Sequence, residues 1–197
     1  MLNTKDRILL EALDLFSKCG YSGVTMEDIG TKVGIKAPSI YKHYKSKDMI
    51  FSSILEGAQN KFNNQVKNLV HNNEYIEIED LDIEELGLDA FDYFYHDDYI
   101  SKVRKMLSIE MYRNPNMTKL YIHQYIELPL QRHLDVLEKV DFHGDIDLHA
   151  LSLIFYSPIY MSIKMCDAYP EREEEVRSNL ENTLRFLKES LVDLIKK

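Results

Sequence analysis

Residues 25–44, Thr-Met-Glu-Asp-Ile-Gly-Thr-Lys-Val-Gly-Ile-Lys-Ala-Pro-Ser-Ile-Tyr-Lys-His-Tyr, carry start and stop signals so close together that two short helices and a tight turn are nearly all they permit. Thr25 is a good N-cap, because its hydroxyl can accept from an orphan backbone N–H of the first turn. Asp28, three residues on, completes a capping box and suits the positive end of the helix dipole. Val24 and Ile29 occupy the positions of a hydrophobic staple. Ile29 and Val33 share a face, and Gly34 follows where a left-handed residue is wanted. The spacing predicts a helix over Met26–Val33.

A second helix must begin at once, since Pro38 fits a first helical turn and little else nearby. Ala37, Ile40 and Tyr44, at i, i+3 and i+7, make its apolar face, so the helix is expected to reach Tyr44. Ser39, Lys42 and His43 are then left pointing outward, with Lys36 at the entry. Two helices joined by a few residues around a Gly match the helix-turn-helix, whose second helix lies in the DNA major groove. An ordinary helical hairpin with a solvated basic face is the plainer alternative. It gives no reason for two tyrosines in so short a basic helix.

Residues 4–56 resemble the DNA-binding domain of TetR-family transcriptional repressors. The resemblance rests on the stripe Ile8, Leu9, Ala12, Leu13 and Phe16 within Lys5–Cys19, then Gly20-Tyr21, Thr25, Ile29, Gly34, the run Ile40-Tyr41-Lys42-His43-Tyr44, and Ser46-Lys47-Asp48 opening a fourth helix. It implies that Thr25 and Lys47 hold phosphates near helix N-termini. It implies too that Tyr41 and Tyr44 make ring contacts to backbone or thymine methyls, and that Lys36, Pro38, Ser39, Lys42 and His43 face base edges. Lys36 replaces a frequent serine cap, and Tyr44 stands where phenylalanine is common.

Charge agrees with such a division of labour. The chain of 197 residues has net charge −9, which at first sight disfavours nucleic acid. Residues 1–50 nevertheless hold eight Lys+Arg against six Asp+Glu, a balance of +2, while the remainder holds sixteen against twenty-seven, a balance of −11. A DNA-facing module joined to an acidic body fits that asymmetry, and a module of only +2 needs two copies for firm phosphate contact. Cys19 and Cys166 lie far apart with no metal or redox spacing. Met1 leads straight toward an amphipathic helix, so no leader is expected, and the apolar runs are too short for a membrane span.

Further along, a long helix is expected from Lys47 toward Val70, stopping near Asn72-Asn73. Glu74–Asp89 reads as a solvated acidic linker. Asp89–Arg113 reads as helix with a break at His96-Asp97-Asp98, and Asn116 as the cap of a helix from Met117 to Val140 that Pro129 kinks or restarts. Gly144 punctuates, and helices over Ile146–Ala168 and Glu171–Ile195 finish the chain. The expected fold is all-α: an N-terminal three-helix helix-turn-helix DNA-binding domain, residues 1–50, and a C-terminal helical ligand-binding and dimerisation domain, residues 51–197, in about nine helices.

The last two helices carry apolar residues at intervals of three or four. Periodicity alone leaves these as core or interface. The TetR resemblance implies a homodimer through the last two helices, with Leu151, Phe155, Ile159, Leu180, Leu184, Leu187 and Leu191 at the interface. The middle of the chain is rich in Tyr, Phe and Met, which suit a hydrophobic ligand. The candidate effector pocket comprises Tyr93, Phe94, Met106, Glu110, Met111, Tyr121, Tyr125, Phe155, Tyr156 and Met161. Pro158, inside its helix, would free a carbonyl there. The seven histidines show no ligand spacing; His123 with Glu127 comes nearest, and neither metal nor cofactor is expected. No phosphate loop, nucleophile elbow or His-Glu-x-x-His occurs, so no enzyme is expected.

These readings converge on a cytoplasmic, homodimeric DNA-binding transcriptional regulator. It is expected to act as a repressor released from a palindromic operator by a small hydrophobic effector. The alternative is an adaptor or coactivator of the same fold, docking a protein partner on its acidic 74–89 segment without an operator of its own.

Overall fold

The computed structural model describes residues 2–69, 82–140, 142 and 146–195. Every regular element among them is helical: α1 (Thr4–Cys19), α2 (Met26–Val33), α3 (Ala37–Ile40), α4 (Lys47–Leu69), α5 (Ile83–Tyr95), α6 (Asp98–Glu110), α7 (Pro115–Ile122), a π-turn (His123–Glu127), α8 (Leu128–Leu137), α9 (Leu148–Ala168), a 3-10 turn (Pro170–Arg172) and α10 (Glu173–Ile195). The all-α expectation is met. The expected stop at Asn72-Asn73, the acidic stretch as far as Leu81, and Gly144 lie outside the described residues.

Two compact units emerge: Met1–His71 with Asp98–Tyr125, and Asn72–Asp97 with Ile126–Lys197. This grouping gathers α6 and α7 with the amino-terminal helices, whereas the sequence reading divides the chain after residue 50. The first unit is built on α1, whose Ile8, Ala12, Leu13 and Phe16 are buried together with Ile29, Val33, Ile40, Ile50 and Ile54. Within it, α6 packs on α1 and α4, and α7 packs on α6. Tyr99 of α6 donates to Ile54 O of α4 at 2.9 Å, over Gly57, where any Cβ would strike the phenol.

In the second unit α5 begins at Ile83, six residues ahead of expectation. Asp82 caps it by accepting from Glu84 N and Glu85 N at 3.1 and 3.2 Å, and those two acids stand in its first turn. The acidity that suggested a linker suits a helix N-terminus instead. Gly87 lets α5 lie close to α10, since a Cβ there would meet Leu184 Cδ1 at 2.5 Å. The break after α5 falls at His96-Asp97 as expected.

Other ends differ in detail. Asn114, not Asn116, caps α7: its side chain accepts from Asn116 N at 3.0 Å. Pro115 explains the shift, because a proline at N1 gives up no hydrogen bond and moves the cap one residue before itself. Pro129 restarts the chain: a π-turn precedes it, and α8 opens with the proline in its first turn. By contrast α9 runs unbroken through Pro158.

Candidate nucleic-acid interface

The Thr25–Asp28 capping box is present. Asp28 N donates to Thr25 Oγ1 at 3.1 Å, and Thr25 N donates back to Asp28 Oδ2 at 2.8 Å. The Thr25 hydrogen bonds hold the Asp28 carboxyl below its ordinary range. At the other end of α2, Gly34 has φ 79° and ψ 29°. Ile35 N returns to Gly30 O at 2.9 Å and Gly34 N to Thr31 O at 3.2 Å, a Schellman closure. Gly30 is needed for the turn, because a Cβ would lie 2.7 Å from Ile35 O and 3.3 Å from Ala37 N. Arg7 Nη2 of α1 donates to Val33 O at 2.8 Å and so answers a carbonyl at the end of α2.

Regular helix in α3 is shorter than expected, ending at Ile40 rather than Tyr44. The chain keeps coiling through the next turn: His43 N and Tyr44 N both donate to Ile40 O, at 2.8 and 2.9 Å. Ile40 and Tyr44 anchor this turn in the core. Tyr44 is only 3% exposed, so its ring supports the turn from below. This corrects the expectation that it offers a ring contact to DNA. Burial raises the Tyr44 phenol, against a hydrogen bond with Ser53.

What faces outward is Lys36, Pro38, Tyr41, Lys42 and His43, with Ser39 half-buried. Tyr41 is 48% exposed, a large aromatic left uncovered among basic side chains. Lys45 is exposed beside them and extends the basic surface, as its place directly after the buried Tyr44 signals.

Lys47 stands at the head of α4 but is half-buried. Its Nζ donates to Tyr21 O at 2.9 Å and Val24 O at 2.7 Å, and lies 4.2 Å from the Tyr21 ring centre. Two of its three donors therefore bind the α1–α2 loop, leaving one for a phosphate. Tyr21 packs between Phe16 and Phe51 at 5.4 and 4.9 Å and donates to Asp48. Burial and that carboxyl push its phenol well above the usual range. Thr25 is exposed, with its hydroxyl and N–H both engaged by Asp28.

Residues 8–54 match the family model described as bacterial regulatory proteins, tetR family. The amino-terminal segment of the chain is thus similar to that of TetR-family regulators. The biofilm operon icaADBC HTH-type negative transcriptional regulator IcaR of Staphylococcus epidermidis is 43% identical over 58 residues, covering 29% of this chain and 31% of that relative. The protein of the same description from Staphylococcus aureus strain Newman is 40% identical over 60 residues, 30% and 32% of the two chains. The likeness thus spans about a third of these curated relatives, and they are regulators rather than enzymes. Over nearly full length the fold is shared with the ketosteroid transcriptional regulator KstR2 of Mycobacterium tuberculosis (18% identity, 96% of this chain and 95% of that one, TM-score 0.68). It is shared also with a transcriptional regulator of Aquifex aeolicus (23% identity, 98% of each chain, TM-score 0.63).

The remaining candidate residues fall on both units. Met106, Glu110, Met111, Tyr121 and Tyr125 belong to the first, and Tyr93, Phe94, Phe155, Tyr156 and Met161 to the second. Two of them do not line an interior as expected. Glu110 is buried but engaged with Ser22, and Met161 is 59% exposed on the outer side of α9. In the second unit a narrow apolar cleft is lined by Ile83, His133, Leu137, Phe155, Leu187 and others, with room for about one water molecule. His133 stacks on Phe155 at 4.3 Å and bonds Ser152 Oγ at 3.1 Å, and burial lowers it to about 4.

The stripe assigned to the dimer faces inward. Leu151, Phe155, Ile159, Leu180, Leu184 and Leu191 are buried within the second unit, and Leu187 lines its cleft. Among the described residues, Leu153, Ile154 and Met161 of α9 and Phe186 of α10 are the large apolar side chains left exposed on those helices. Among the described residues no helix is long and apolar enough to cross a membrane, and no group of His, Cys, Asp or Glu is placed to hold a metal ion.

Proposed function

We propose that this chain is a cytoplasmic, homodimeric DNA-binding transcriptional regulator, a repressor released from a palindromic operator by a small hydrophobic effector. The observation that carries the reading is the Tyr41–His43 turn: exposed aromatic, basic and imidazole groups mounted on the buried Ile40 and Tyr44, inside the segment that matches the family model. Residues 1–50 act as the reading head and 51–197 as the effector-binding and dimerising body. Tyr41, Lys42 and His43 meet the groove with Lys36, Pro38 and Ser39, while Lys47 and Thr25 shape the loop ahead of α2 and lie near phosphates. Two copies place these turns in successive major grooves about 34–36 Å apart. The negative regulation named for the staphylococcal relatives supports repression.

Dimerisation is assigned to the outward face of α9 and α10, where Leu153, Ile154, Met161 and Phe186 would otherwise remain in water. The test is a mobility shift on the DNA upstream of the chain's own gene at two salt concentrations. Sequence-selective retention that weakens steeply with salt is expected, and Tyr41→Ala should lower it about tenfold or more without altering dimerisation. No retention even at low salt would remove the reading and favour an adaptor that works through a protein partner.

A further inference from the structure

Glu110 ends α6 and is 1% exposed, a costly place for an acidic side chain. Its Oε1 accepts from Ser22 N at 2.9 Å and its Oε2 from Ser22 Oγ at 2.8 Å. Both carboxyl oxygens thus bind one residue of the α1–α2 loop, 88 positions away in the chain. The loop is shaped to receive them. Gly20 has φ 75°, and a Cβ there would collide with Glu110 Oε1 and lie 2.9 Å from Ile109 Cγ2.

The same loop is gripped from its other side by Lys47, through the carbonyls of Tyr21 and Val24. Ser22 stands three residues before the Thr25 cap, so the position of this loop sets how α2 starts, and through the Gly30–Ile35 closure how α3 is aimed. Elsewhere on α6, Lys102 lies 3.8 Å from Asp14 of α1. In the chain, the stretch Asp98–Tyr125 is continuous at both ends with the second unit.

We propose that the Glu110–Ser22 pair is the joint that makes the reading head follow α6. Glu110 is a positioning residue and touches no DNA. If α6 shifts without the loop, the buried Glu110 carboxyl loses both of its Ser22 donors, and a buried carboxyl without partners is costly. Displacement therefore passes into the α1–α2 loop and re-aims α2 and α3. The inference rests on the DNA-binding reading above.

The test uses full-length protein with Glu110→Gln and Ser22→Ala. Met106→Ala serves as a control that removes buried volume from the same helix. Each is titrated with two duplexes cut from the protected upstream DNA, one holding both arms of the site and one holding a single arm. Glu110→Gln should weaken the two-armed complex about tenfold and the one-armed complex less than about twofold, because only the paired arrangement demands a set head direction. Met106→Ala should affect both duplexes alike. Equal loss on both duplexes with Glu110→Gln, or loss on neither, overturns the joint. Should the wild-type protein retain neither duplex, the DNA-binding reading fails and amide exchange judges the joint alone. Glu110→Gln must then speed exchange at Ser22 and through the first turn of α2 about tenfold, with the interior of α1 unchanged. Faster exchange confined to Ser22 overturns it.

Discussion

In the first unit, Arg7 donates to Val33 O, Lys47 to Tyr21 O and Val24 O, and Ser22 to Glu110. In the second, Leu180, Leu184 and Val176 of α10 pack with Phe91 of α5 and with Leu151, Phe155 and Ile159 of α9 in an apolar interior. Helix length explains the contrast. An eight-residue α2 and a four-residue α3 leave most of their end groups without intrahelical partners, so side chains from elsewhere must answer them. Helices of 21 and 23 residues satisfy most of their own backbone groups, so burying a face carries more of their packing. Directional bonds fix a direction. Apolar packing tolerates rearrangement.

The comparison can be broken most forcefully in the second unit. Leu184→Ala, at a fully buried position against Gly87, should cost about 2–5 kcal/mol in denaturant unfolding. A loss under about 1 kcal/mol would mean that this interior is not tightly packed.

His133 sharpens it through pH. Burial lowers its imidazole to about 4 in the folded chain, against an unfolded value near 6.5. The neutral ring therefore contributes fully above about pH 6.5, and stability drains away as pH falls toward 4, by on the order of 2–3 kcal/mol. Thermal melts between pH 7 and 4 should show the decline, and His133→Gln should flatten it.

A smaller loss is expected at the polar tie. Lys47→Met should cost about 1.5–3 kcal/mol, since two carbonyls lose a charged donor. Amide exchange should rise through Tyr21–Val24 while α9 and α10 keep their protection; a uniform rise would erase the distinction between the units. Last, Thr25→Ala should remove about 1 kcal/mol by dissolving the capping box, seen as a modest fall in Tm.

How far each feature could be read in advance follows from the range of the interaction behind it. The Thr25 cap and the Gly34 stop were predictable because partners lie within a few residues. So were the break at His96-Asp97 and the exposed basic run from Lys36 to His43. The start of α5 is signalled by Asp82 and the two glutamates, a local cap that the acidity of the surrounding stretch hides. The resemblance implies a DNA contact for Tyr44, whereas its spacing puts it on the apolar face with Ile40, where it is buried.

Inward and outward faces of α9 and α10 were harder. A stripe at intervals of three or four marks what is buried, and the same leucines serve equally against this chain or against a second copy. Only the placement of α5 beside them resolves the question, by leaving Leu153, Ile154, Met161 and Phe186 on the other side.

Local order, helix type and the exposed basic turn after α3 were thus set by the amino-acid string itself, since capping, proline geometry and glycine at positive φ act over one turn. Tertiary structure alone decided that Lys47 holds the α1–α2 loop, that Glu110 grips Ser22, and which apolar face remains outside. Those contacts join residues 23 to 88 positions apart, and no periodicity in a chain encodes which distant group will satisfy a buried polar atom.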